Sequence, residues 1–270
     1  MAKHVMEALG KARVVIEDGK VVEVGEPVVE YCPLFKKYRG IDRFDKESIR
    51  ENIEFRIKDF GMCTDEREIL MDDFLSFGVS ELLCMAVDEG ILDAAVIASD
   101  GVGTCVVTDP RLIQGLGGRI SGLMSTSPID KVMEGVGEEN SLEGGIDQVR
   151  GVELAKSLGH RRIGVSVALA DDARRLRDLH GDDVMLFAVH TTGCSPEDAE
   201  EFFRSCDIVT GCASLHIRRL AKDRALIQGG DKVPVYAASP RGKELIEMKL
   251  ARLGKEPAEG DSDDSPWPLI

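Results

Sequence analysis

The chain has 270 residues, room for one large domain or two ordinary ones, and its 43% apolar and 31% charged side chains are the balance of a globular protein. Its net charge of -15, from 34 basic and 49 acidic residues, argues against a nucleic-acid or anionic-membrane partner, because phosphate binding needs a positive field. No apolar run approaches the ~18–20 residues that cross a bilayer, and residues 1–7 hold no apolar signal core, so a cytoplasmic protein with a surface adapted for solubility is expected.

The first half reads as mixed α/β. Residues 12–31 carry a hairpin pattern in which Val14, Val15 and Ile16 run into the turn pair Asp18-Gly19 and then Val21, Val22 and Val24. Helical spacing of Ile49, Ile53, Ile57 and Phe60 predicts a helix over 45–59, stopped by Gly61. A second helix is predicted over 72–89, then strands over 91–98 and 104–108, and a short helix from Pro110. The run Gly115-Leu116-Gly117-Gly118 follows, and another short helix opens at Ser127-Pro128. Glycine and charge between 135 and 145 mark an expected boundary, giving an N-terminal α/β region over 1–140.

The second half, 146–254, alternates regularly. Helices are predicted over 147–158, 171–179, 196–205, 214–225 and 240–253, with strands over 162–168, 184–189, 207–210 and 233–237. That alternation predicts a wound, mostly parallel α/β sheet. The acidic segment 255–270, rich in Pro and Ser, reads as a disordered tail, with weak docking through Trp267.

Ligands of open parallel sheets bind outside the carboxyl ends of the strands, and that rule selects loops here. The segment His190-Thr191-Thr192-Gly193-Cys194-Ser195 ends one strand and opens a helix. Ser195, Pro196 and Asp198 form an N-cap there, placing Cys194 where amides and dipole favour a thiolate. The next strand ends in Gly211-Cys212-Ala213-Ser214, and the last in Ser239-Pro240-Arg241. The expected site joins His190 and Cys194 as catalytic candidates with Thr191, Thr192, Gly193, Ser195, Gly211, Cys212, Ser214, Ser239 and Arg241 as ligand-binding candidates. The plainer reading of the same residues is well-capped loops without chemistry.

Seven cysteines with no CxxC pair read as free thiols, metal or cluster ligands, or a mixture. Cys32 and Cys63, both in loops, are the candidates for metal or iron–sulfur ligation. Cys84 and Cys105 read as core residues, and Cys206 falls at the opposite sheet end from Cys212. The Gly115 to Gly122 stretch with Arg119 and Ser121 offers an anion cradle through its amides, or else a plain turn. Asp100 and Asp109 flank a hairpin, as acids or bases or as turn and cap residues.

Four stretches carry a family likeness. They are Tyr31-Cys32-Pro33-Leu34-Phe35 with Tyr38-Arg39-Gly40, the run from Phe55 to Thr64, the run from Thr108 to Gly122, and His190 to Ser195. In this order they resemble methanogenesis marker protein 8, over nearly the whole chain except the tail. That resemblance implies an accessory protein supporting methanogenesis, acting in the maturation or assembly of methyl-coenzyme M reductase or of its nickel cofactor. It carries no catalytic residues with it. An enzyme using the Cys194 and His190 loops is the alternative. A third reading rests on residues 78–98, which look like the β subunits of deazaflavin-reducing hydrogenases and would imply a flavin and an iron–sulfur cluster. The closely spaced cluster cysteines of that family are missing here.

Overall fold

A computed structural model of the chain describes residues 1–72, 77–119, 122–230, 232–260 and 264–270. In chain order the elements are β1 (Lys3–Glu7), β2 (Arg13–Glu17), β3 (Lys20–Val24), α1 (Pro33–Arg39), α2 (Lys46–Phe60), α3 (Val79–Asp88), β4 (Ala94–Ser99), β5 (Gly103–Val107), α4 (Pro110–Gly117), β6 (Gly122–Thr126), α5 (Asp130–Val136) and α6 (Gln148–Ser157). They continue with β7 (Ile163–Val167), α7 (Ala170–His180), β8 (Val184–Ala188), α8 (Pro196–Ser205), β9 (Ile208–Thr210), α9 (Leu215–Arg224), β10 (Ile227–Gly229), β11 (Val235–Ala237) and α10 (Pro240–Leu253). The start of the predicted 72–89 helix falls partly on residues 73–76, outside the described residues.

The fold is α/β with two sheets. The smaller, of four strands in the order β3-β2-β1-β6, is antiparallel throughout. Its β2–β3 hairpin turns on Asp18 and Gly19, both at positive φ (47° and 73°), which matches the right-handed twist of the strands. Helix α2 starts at Asp45, whose side chain accepts from the Ser48 amide in a capping box. Its Ile49, Ile53 and Phe60 pack on Met6, Val14, Ile16, Val21 and Val24 of the small sheet.

The larger sheet has seven strands in the order β10-β11-β9-β8-β7-β4-β5. Its centre, β9-β8-β7-β4, is parallel, and both flanks are antiparallel. Alternate residues serve opposite layers: Val184, Leu186 and Ala188 face α6, α7, α8 and α9, while Met185 and Phe187 face α3 and α10. Burying one such side chain as large as Phe187 contributes about 1.5–3 kcal/mol.

Three expectations change. Strands β4 and β5 belong to the second-half sheet, β4 pairing in parallel with β7 from Ala94 opposite Ile163, so the sheet is not divided at residues 140–146. β4 is apolar on both faces, and only a position between helical layers covers both. Secondly, β10 forms a hairpin with β11, so β11 runs antiparallel to β9, with Ala237 opposite Ile208. That reversal carries Ser239 and Arg241 to the amino edge of the sheet. Thirdly, residues 264–270 are held in place: Trp267 exchanges backbone hydrogen bonds with Tyr31, and the Ile270 amide donates to Ala213 O. The anchor is these backbone hydrogen bonds together with the buried Pro266, while the Trp267 ring stays exposed. Residues 261–263 lie outside the described residues.

Candidate functional site

The carboxyl ends of β8 and β9 meet the small sheet across a cavity of about 280 Å³. Its polar wall comes from Glu7, Lys11, His190, Thr192, Cys32 and Cys212, and its apolar wall from Leu9, Val29, Leu34, Phe35, Phe44, Val233 and Pro266. A second cavity of about 230 Å³ lies under α3 and α4, and His190 and Cys212 line it too. These two residues therefore form a shared wall between the chambers.

The backbone at this wall is held against its preference. Among the described residues six non-glycine residues have positive φ, and three of them, Lys11 (63°), His190 (55°) and Cys212 (39°), line the first cavity. Such conformations cost about 1–3 kcal/mol each, persist only where surroundings enforce them, and cluster at functional sites. The enforcement is visible. Arg218, itself buried, donates from Nε and Nη2 to the Cys212 carbonyl at 2.9 and 2.7 Å. Lys11 Nζ donates to Thr192 O at 2.8 Å and stands 3.4 Å from Glu7 Oε2.

His190 is exposed as a residue, and its ring lines both cavities within reach of Gly122 on β6. Desolvation, with the Lys11 ammonium adding to it, lowers its pKa to about 4. It is neutral at pH 7. Burial also pushes the thiols of Cys32 and Cys212 up. The amides of Leu34 and Phe35 oppose the rise at Cys32, and the hydroxyls of Thr210 and Thr191 oppose it at Cys212.

The carboxyl edge gathers only part of the expected set. Thr191 Oγ1 donates to Thr210 O at 2.6 Å, Thr192 Oγ1 accepts from the Ala213 amide at 3.1 Å, and the Gly211 amide donates to Pro234 O at 2.7 Å. These bonds lace the His190 and Cys212 loops together, with Gly193 at φ 74° in the turn between. Ser195 and Ser214 are used as N-caps of α8 and α9.

Cys194 departs from its expected role. Its Sγ lies 3.3 Å from Ser214 Oγ, it packs against the apolar layer under α8, and it is absent from the wall of either cavity. Burial raises its pKa rather than the helix dipole lowering it, since the Ser195–Asp198 cap already occupies the helix end. Ser239 and Arg241 sit at the opposite sheet edge, where both bind the buried Asp207: Ser239 Oγ at 2.6 Å, Arg241 Nε at 2.6 Å and Arg177 Nη2 at 2.8 Å. That cluster also takes the Leu186 amide and reads as a strand-end clamp.

Cys63 is buried in a closed network. Its amide donates to Asp100 Oδ2 at 2.7 Å, and Asp100 is paired with Arg67, both side chains fully buried. Among the described residues no group of three or more His, Cys, Asp or Glu side chains is placed to hold a metal ion. Asp100 is thus structural, and Asp109 caps α4 through the Arg111 amide. Gly115 and Gly117 lie inside α4, and a Cβ on Gly115 would stand 2.0 Å from Ile69 O, so this backbone faces protein rather than an anion. Ser121 lies outside the described residues. Cys84, Cys105 and Cys206 are buried in the core.

The small-sheet residues Glu7 and Lys11 escaped the sequence reading because β1 and β6 were not foreseen. The short run His4-Val5-Met6, buried between Lys3 and Glu7, was the available signal for β1.

A model of a family described as uncharacterized proteins conserved in archaea (DUF2099) matches residues 4–251. The chain belongs to this archaeal family. It is 44% identical over 283 aligned residues to the uncharacterized protein MJ0054 of the methanogen Methanocaldococcus jannaschii, covering 100% of both chains. No solved structure matches. Among the described residues no helix of this family member is long and apolar enough to cross a membrane.

Proposed function

We propose that this protein is an accessory factor of methanogenic metabolism that works by holding a small amphipathic molecule in the cavity at the carboxyl edge of the large sheet. The observation that carries the reading is the convergence of Lys11, His190 and Cys212, all at positive φ, on one cavity. The cavity is at the small end of ligand sites, which run from about 300 to 1,000 Å³. Its Leu34, Phe35 and Phe44 side suits an apolar body, and its Glu7, Lys11 and His190 side suits a polar group. The methanogen relative and the likeness to methanogenesis marker protein 8 support the setting, with methyl-coenzyme M reductase or the maturation of its cofactor as the process served.

A second reading, an enzyme at the same edge, is favoured by one observation: His190 and Cys212 share a wall between two chambers. In that reading Cys212 replaces Cys194 as the reactive thiol. The flavin and cluster reading gains less, because Cys63 is buried with its amide bound to Asp100 while Cys32 lines the cavity.

The test is native mass spectrometry of the protein purified anaerobically from a methanogen. A bound small molecule, released on unfolding and lost from folded Lys11→Met and Phe44→Ala variants, supports the reading. Wild-type protein that carries nothing, or variants that retain the same molecule, would overturn it.

A further inference from the structure

Cys32 and Cys212 come from distant parts of the chain and line one cavity. That cavity is only about 280 Å³, so the two thiols border one small space. Of the seven cysteines, only Cys32, Cys194 and Cys212 are not buried, and Cys194 is turned away against Ser214. The remaining four are enclosed in apolar packing or in the Asp100 network. Of the three part-exposed thiols, Cys32 and Cys212 are the two that line this cavity.

Both loops are braced. Residues 264–270 bond Tyr31 on one side and Ala213 and Leu215 on the other, so one segment ties the Cys32 loop to the Cys212 loop. Arg218 fixes the Cys212 carbonyl. Thr210 Oγ1 stands 3.6 Å from Cys212 Sγ.

We infer that Cys32 and Cys212 form a redox-active dithiol whose oxidant is a small disulfide admitted to the cavity. The inference rests on the cavity being the ligand site, and gives the class of ligand. The thiolate of Cys212 attacks one sulfur of the substrate disulfide. A protein–substrate S–S bond forms, the substrate S–S bond breaks, and one half leaves as thiolate. The thiolate of Cys32 then attacks Cys212 Sγ, closing the Cys32–Cys212 disulfide and releasing the second half. The protons lost by the two cysteines are those gained by the two released thiols. The substrate is reduced by two electrons and the protein dithiol is oxidised by two.

The experiment treats the full reduced chain anaerobically with hydroxyethyl disulfide, then blocks free thiols and maps peptides by mass. The expected product has lost two hydrogens and yields a Cys32–Cys212 linked peptide. The Cys194→Ser variant gives the same product. The Cys32→Ser variant stops at a hydroxyethylthio adduct on Cys212. Circular dichroism shows that each variant is folded. Linkage of Cys194 to Cys212, an unmodified wild type, or equal reaction at all cysteines overturns the inference. A cavity that still retains its co-purified molecule in Cys32→Ser would leave the binding function standing while the dithiol inference failed.

Discussion

Replacing Asp100 with Ala tests the buried network that binds the Cys63 amide. Asp100 and Arg67 are fully buried, and the carboxylate accepts from Arg67 Nε at 3.1 Å, the Cys63 amide at 2.7 Å and Ser99 Oγ at 3.1 Å. Without it the Arg67 guanidinium keeps, among the described residues, the carbonyls of Glu68 and Gly115 and the face of Phe60. A buried charge stripped of its partner costs about 3–5 kcal/mol. With a urea slope of about 3 kcal/mol/M for a chain of this size, the midpoint falls by roughly 1–2 M. Replacing both, as Arg67→Met with Asp100→Leu, removes the stranded charge and recovers most of the loss. Acid adds a second readout. Burial alone would raise the Asp100 pKa, but Arg67, the Cys63 amide and Ser99 outweigh it and hold it below 3.8. The folded value is depressed, so this stabilisation is complete above the unfolded pKa and fades as pH falls through the folded one. Wild type and Asp100→Asn should therefore differ in pH dependence only below about pH 4. An Asp100→Ala loss under about 1 kcal/mol, or a double variant no better than the single one, would refute the reasoning.

Four further outcomes are expected. His190, depressed to about 4, binds fewer protons folded than unfolded between that value and 6.5. Stability then rises with pH across this window, and a pH series of unfolding midpoints should flatten there in His190→Gln. Gly115→Ala gains about 1 kcal/mol of helix propensity but drives a Cβ to 2.0 Å from Ile69 O. Overpacking of about 1–3 kcal/mol or more should win, so thermal denaturation should show a less stable protein. Cys194→Ser should cost about 1 kcal/mol or less by urea titration and leave the cavity's contents unchanged in mass. Tyr31 is pushed up to about 12, chiefly by its bond to Asp264 at 2.5 Å. An ultraviolet titration should show one tyrosine ionising late, and Asp264→Asn should return it to the ordinary range.

Local chemistry determined much of the secondary structure. Asp45, Ser195, Ser214 and Ser239 cap the helices expected of them, because a capping side chain acts within three residues of its own position. The alternation from 147 to 225 likewise specified β7, β8 and β9 and their parallel pairing, since each helix covers the strands it joins. The loops at His190 and Cys212 could be placed at one edge for the same reason. What depended on distant partners could not be read locally. β10 is three residues long, too short for a periodic signal, yet it reverses β11 and sends Ser239 and Arg241 to the far edge. The pairing of β4 with β7, the docking of residues 264–270 and the arrival of Glu7, Lys11 and Cys32 opposite Cys212 all join segments far apart in sequence. Their energies come from burying surface shared between such segments, which no short window of sequence contains. The same burial decided that Cys194 packs inward, while Cys32 and Cys212 face the cavity.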